Sequence, residues 1–121
     1  MYKVVFYEEK PGYSSLENYI LDLSTKTTKD ARIQFRKISQ YIDLLATYGT
    51  RLSQDITKHI KDGIWELRPG FNRIFYFYYK NNTYVLLHMF RKKSTKTPKH
   101  EIERAIKERG NYLKIYGGLN I

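Results

Sequence analysis

The chain has 121 residues, of which 41% are hydrophobic, with no cysteine, three histidines and a formal net charge of +10. That length predicts a single domain over residues 1–121, able to bury roughly two thirds of the surface its unfolded chain exposes. The lack of cysteine excludes disulfides and thiolate metal sites, and three histidines would need oxygen ligands to complete a zinc site, so neither metal nor cofactor is expected.

Residues 2–7, YKVVFY, read as a short β-branched and aromatic strand. Ser14 and Glu17 have capping-box spacing, and Leu16, Tyr19, Ile20 and Leu23 follow at helical intervals, which predicts a helix near 15–24. Thr27 and Asp30 mark a second start. Ala31, Phe35, Ile38, Ile42 and Leu45 then recur every three or four residues until Gly49, a helix over about 29–48. The short connection makes the two helices an antiparallel pair. Beyond them the period changes to two. GIWELR at 63–68, NRIFYFYYK at 72–80 and TYVLLHMFRK at 83–92 read as strands, joined at Pro69-Gly70 and Asn81-Asn82. Thr97 then suits an N-cap with Pro98 at the first helical position, and Ile102, Ala105 and Ile106 supply a buried stripe. The order is β-α-α-β-β-β-α: an α+β fold with a helical hairpin packed on a mainly antiparallel, four-stranded sheet.

Charge is uneven along this order. Residues 1–62 carry 10 Lys/Arg against 8 Asp/Glu, a net of +2, whereas residues 63–121 carry 12 against 4, a net of +8. That asymmetry favours a polyanionic partner. The first ten residues are charged and lack the apolar run of a signal peptide, and no apolar run nears the ~20 residues of a membrane helix. A cytoplasmic protein without a membrane partner is therefore expected.

The two turns set a trial register. With Asn81-Asn82 as the loop, Phe75 faces His88 and Arg73 faces Phe90; with Pro69-Gly70 as the loop, Glu66 faces Arg73. One sheet face then carries Glu66, Arg68, Arg73, Phe75, Phe77, His88, Phe90 and Lys92. The other carries Trp65, Leu67, Ile74, Tyr76, Tyr78, Val85, Leu87 and Met89, apolar enough to pack on the helices. The run RKKSTK at 91–96 leaves the last strand beside the first face, so it is expected to wall a basic patch. Each member also has a structural reading: Glu66 and Arg73 as a cross-strand ion pair, His88 as a packed hydrogen-bonded residue, the tyrosines 76, 78, 79 and 84 as core.

The residues that build this patch also carry a resemblance. GIWELRPGFNRIFYFYY followed by VLLHMFRKKSTKTPKHEIERA is similar to the HigB-like, phage-derived branch of the RelE/ParE toxin superfamily. That branch typically shows W/Y-E-L-R, an R-hydrophobic-hydrophobic-Y strand, L-L-H-x-F-x-K-K-x-x-K-T-P and an E-I-x-x-A helix, and all four pieces stand in order over about residues 63–106. The resemblance implies a RelE-like fold and the toxin half of a type II toxin–antitoxin pair. Such toxins cleave mRNA on the ribosome and are silenced by a helix-turn-helix antitoxin of the HigA-like kind. The same fold also serves gyrase-directed toxins, and a non-catalytic basic binding domain is the further alternative. For RNA cleavage Arg68, Arg73, His88 and Lys92 are the candidate catalytic residues, and Arg91, Lys93 and Lys96 the candidate RNA-binding ones. Lysines that RelE-branch toxins carry on the first of these strands match Ile64 and Glu66 here. That departure leaves the general base open between His88, Glu66 and a lysine.

Overall fold

The computed structural model describes residues 1–117. Five strands, β1 (Lys3–Phe6), β2 (Thr57–Lys61), β3 (Ile64–Leu67), β4 (Asn72–Tyr78) and β5 (Thr83–Arg91), accompany three helices, α1 (Ser15–Thr25), α2 (Lys29–Tyr48) and α3 (Lys99–Tyr116). The sheet order is β1-β5-β4-β3-β2. β1 lies parallel to β5, and the remaining neighbours are antiparallel. The α+β class is as expected, but the sheet has five strands and not four.

The added strand is β2. Its sequence, TKHIK, carries two lysines and a histidine, so hydropathy alone does not mark it. It is a polar edge strand formed by pairing with β3. The readable signal is the next dipeptide: Asp62 and Gly63 have φ of 51° and 82°, the left-handed pair of a two-residue hairpin turn.

Helix boundaries follow their caps. The Ser14 hydroxyl accepts the N–H of Glu17 at 3.1 Å, as the spacing predicts. For α2 the cap is Thr28, one residue later than expected, accepting from the N–H of Ala31 at 3.3 Å. Gly49 ends α2 with φ 63°, and a Cβ there would sit 2.8 Å from the Tyr2 ring and 2.9 Å from the Tyr84 hydroxyl oxygen, so both conformation and space demand glycine. α3 differs from expectation at its start. Pro98 occupies the N-cap position, with its carbonyl accepting from Glu101 and Ile102, and Thr97 does not cap. Gly110 does not stop the helix, which runs to Tyr116.

Helices cover both faces of the sheet. On one face Leu16, Leu23, Ala31, Ile38 and Leu45 from α1 and α2 pack on Leu67, Ile74, Tyr76, Tyr84 and Leu86. On the other, Ala105 with Ile102, Ile106 and Tyr112 of α3 packs on Ile64, Phe75, Phe77, Val85 and Leu87. Val85 and Leu87 were expected on the first face. A bulge explains the change: Arg73 pairs with Phe90 as the trial register requires, but between Ile74 and Tyr76 the register slips, so that Tyr76 pairs with Leu86. The extra residue on β5 turns Leu87 and His88 toward the same side. The β3–β4 turn is built on Gly70-Phe71, with the N–H of Asn72 donating to Pro69 C=O at 3.1 Å. Glu66 therefore pairs with Phe75 and not with Arg73. This shift is of two residues, so it leaves every side chain on its expected face. Tyr76 and Tyr84 are buried.

Candidate functional site

At the end of the sheet where β3 and β4 meet the segment after β5, Glu66, Arg68, Arg73, Phe90, Lys92 and residues 94–97 line one small cleft. It holds four cationic side chains around a single carboxylate. Period-two alternation along β3 and into the residue after it points Glu66 and Arg68 to the α3 side; β4 adds Arg73, and the residue that follows β5 adds Lys92, to the same side. α3 begins only at Lys99, so it covers the middle of this face and leaves the end open.

Glu66 is the centre of the cleft and is 2% exposed. Its Oε1 lies 3.6 Å from Arg68 Nε and 3.7 Å from Arg73 Nε. Thr97, freed from capping, donates its hydroxyl to Glu66 Oε2 at 3.2 Å. A buried carboxylate needs such partners, because an unpaired one is expelled from a dry interior. The two arginines are held differently. Arg73 is 7% exposed, and its Nη1 donates to Gly70 C=O at 2.7 Å and Asn72 C=O at 2.9 Å. Burial pulls its guanidinium below the ordinary value, with Glu66 pulling it back up; an arginine so placed stays cationic. Arg68 donates to Gln54 C=O at 2.9 Å, and a quarter of its side chain stays exposed. Arg73 thus braces the turn and the carboxylate, while Arg68, Lys92 and Lys96 face what enters.

Of the residues singled out from sequence, the structure brings Arg68, Arg73, Lys92 and Lys96 together. Lys93 is exposed on the same segment but does not line the cleft. Arg91 alternates to the opposite side, with its guanidinium carbon 5.8 Å from the centroid of the Phe71 ring. His88 is withdrawn from the cleft. It is 1% exposed beneath α3, Nδ1 2.5 Å from Glu108 Oε1 and Nε2 2.9 Å from Glu101 Oε1. The carboxylates that claim it lie on a helix 13 and 20 residues downstream, a pairing that strand register cannot foresee. Thr97 was the other miss. The Thr-Pro pair reads as a helix start, and only the fold shows its hydroxyl reaching β3.

Among the described residues no group of three or more His, Asp or Glu is placed to hold a metal ion, and no helix is long and apolar enough to cross a membrane. The arrangement offers an anion a cluster of fixed positive charge beside one carboxylate, which suits a phosphodiester.

The family model "Phage derived protein Gp49-like (DUF891)" matches residues 18–109. Among solved structures the chain is similar to one in the crystal structure of the archaeal RelE-RelB complex from Pyrococcus horikoshii OT3. The TM-score is 0.53 at 14% identity, over 78% of this chain and 98% of that one. At this identity the likeness is one of fold. No curated protein sequence matches.

Proposed function

The chain belongs to the phage-derived Gp49-like family, a RelE/HigB-type toxin family, and has a RelE-like fold; from that premise we propose that it is the toxin of a type II toxin–antitoxin pair and cleaves mRNA on the ribosome. The observation that supports this best is the cleft itself, with Arg68, Arg73, Lys92 and Lys96 around Glu66. The reaction needs a base for a ribose 2′-OH, fixed cations for the charge that develops on phosphorus, and an acid for the departing 5′-oxygen. Glu66 takes the 2′-OH proton as the 2′-oxygen bonds to phosphorus. Arg68 and Lys92 stabilise the equatorial oxygens, and a lysine ammonium of the 92–96 segment protonates the 5′-oxygen as the P–O5′ bond breaks. The products are a 2′,3′-cyclic phosphate and a 5′-hydroxyl. Arg73 holds the carboxylate and the β3–β4 turn in place. Lys93 and Lys96 hold the RNA backbone, and no metal takes part. The cytoplasm is where ribosomes and a HigA-like helix-turn-helix antitoxin would meet it.

A second reading has one observation in its favour. Glu66 and Arg73 are nearly buried and engaged with each other, so a binder without catalysis, or a gyrase-directed toxin, needs only the half-buried Arg68 and Lys92 and the exposed Lys96. Expression in growing cells separates these. The mRNA-cleaving toxin arrests growth and cuts transcripts, and co-expression of its antitoxin restores growth. Normal translation in cells full of folded protein would overturn the toxin reading. Arrest with intact transcripts and altered DNA supercoiling would point to gyrase.

A further inference from the structure

The most exposed Phe, Tyr or Trp among the described residues stands at the tip of the β3–β4 turn. Phe71 is 68% exposed and follows Gly70, whose φ of 65° makes the turn. The turn's hydrogen bond is closed by backbone atoms of Pro69 and Asn72, so nothing in folding calls for an aromatic side chain here. A single exposed apolar residue is ordinary. Three features set this one apart. Arg91 lies against the ring at 5.8 Å and enters none of the ion pairs among the described residues. The Phe71 carbonyl accepts the N–H of Lys92 at 2.8 Å, tying the ring to a residue of the cleft. Arg73 is two residues further along, roughly 7 Å of extended backbone. Arg91 and Lys92 alternate to opposite sides of β5, so ring and cleft share one end of the sheet and flank its edge.

We propose that Phe71, with Arg91, is a stacking platform for one base of the RNA strand whose phosphate occupies the cleft. The inference rests on the reading of the protein as an RNA-cleaving toxin and adds a binding residue to it. The chemistry fits single-stranded RNA. An unstacked base presents a flat π-face, an exposed ring can take it without hydrogen-bond readout, and a guanidinium beside the ring adds attraction to the base and to the neighbouring phosphate. The platform is sequence-tolerant, because every base has such a face. It also explains how the cleft, which is small and lined by charge, would orient a nucleotide. The phosphate goes to the cations, and the adjacent base is held across the strand edge.

The test is steady-state cleavage of ribosome-bound mRNA by the full-length protein and by Phe71→Ala, Phe71→Leu and Phe71→Trp. Removal of one stacked base should raise KM by roughly 5- to 150-fold in Phe71→Ala, with kcat changing less. Phe71→Leu, apolar but not planar, should behave like Phe71→Ala, and Phe71→Trp should keep the wild-type KM. Melting temperatures should stay the same, since the ring is not part of the core. A wild-type KM in Phe71→Ala would remove Phe71 from the site, and a wild-type KM in Phe71→Leu would show that stacking is not its role. Absence of cleavage by the wild-type protein itself would instead strike the toxin reading, and the platform with it.

Discussion

Two charged clusters lie on the same face of the sheet, one at its open end and one beneath α3. In the first, Glu66 sits between Arg68 and Arg73 with Thr97 on its second oxygen. In the second, His88 sits between Glu101 and Glu108, and Arg104 donates to Glu108 at 3.1 Å and lies 3.7 Å from Glu9. The central Glu66 and His88 are both nearly buried, and both clusters satisfy their buried polar atoms, as no buried side-chain nitrogen or oxygen lacks a partner among the described residues. What separates them is cover. The first has lysines and an arginine at its mouth; the second lies beneath α3, whose Glu101 and Glu108 close on His88. Residue type therefore does not decide which cluster meets substrate: where α3 starts does.

The largest expected effect breaks the second cluster. His88→Ala leaves Glu108 Oε1 buried without its partner, with Arg104 still on Oε2, and opens a cavity beneath α3; it should cost about 3–5 kcal/mol of stability, read by chemical unfolding. Activity per folded molecule should survive. A loss below 1 kcal/mol would mean that the cluster does not hold α3 to the sheet.

Next comes the first cluster's partly exposed arginine. Arg68→Ala should lower kcat by 10²–10³, about 2.7–4 kcal/mol of transition-state stabilisation, with a nearly unchanged melting temperature. Arg73→Ala should lose both rate and stability, since its Nη1 also holds two carbonyls of the turn. Equal melting temperatures for the two variants would erase the distinction between gripping and bracing arginines.

A smaller effect concerns the mouth. Replacing Lys92, Lys93 and Lys96 together by Gln should flatten the slope of log K against log salt for ribosome–mRNA binding by roughly 2, about 0.7 per lost phosphate contact on a single strand. Thermal stability should move little. An unchanged slope would make the segment a solvated connection. The smallest effect is Thr97→Val, which removes the hydroxyl on Glu66. It should cost about 0.5–1.5 kcal/mol by thermal unfolding, and no loss would show that the carboxylate is fixed by the arginines alone.

The comparison also shows what sequence makes legible. Side-chain parity placed Glu66, Arg68, Arg73 and Lys92 on one face although the β3–β4 register was off by two, because an even shift preserves the pleat. Val85 and Leu87 lie on the face opposite to the one parity predicts, because the β5 bulge is an odd shift that no local residue announces. β2 was missed because its residues are polar and its stability comes from a neighbour, although Asp62-Gly63 signalled the hairpin. His88 read as an acid or base from its type and neighbours in sequence. The glutamates that enclose it belong to a helix whose docking angle only the packed structure reveals. Arg91 read as part of a uniform basic run, but strand alternation splits that run between two sides of the sheet.

The most direct test of the account is the rate of mRNA cleavage on programmed ribosomes by folded wild-type, Arg68→Ala and His88→Gln proteins at matched folded concentration. The wild type should cleave, Arg68→Ala should cleave more slowly by 10²–10³, and His88→Gln should keep a rate close to wild type. Wild-type cleavage by Arg68→Ala, or a His88→Gln protein as slow as Arg68→Ala, would contradict it and move the chemistry from the open end of the sheet to the cluster under α3.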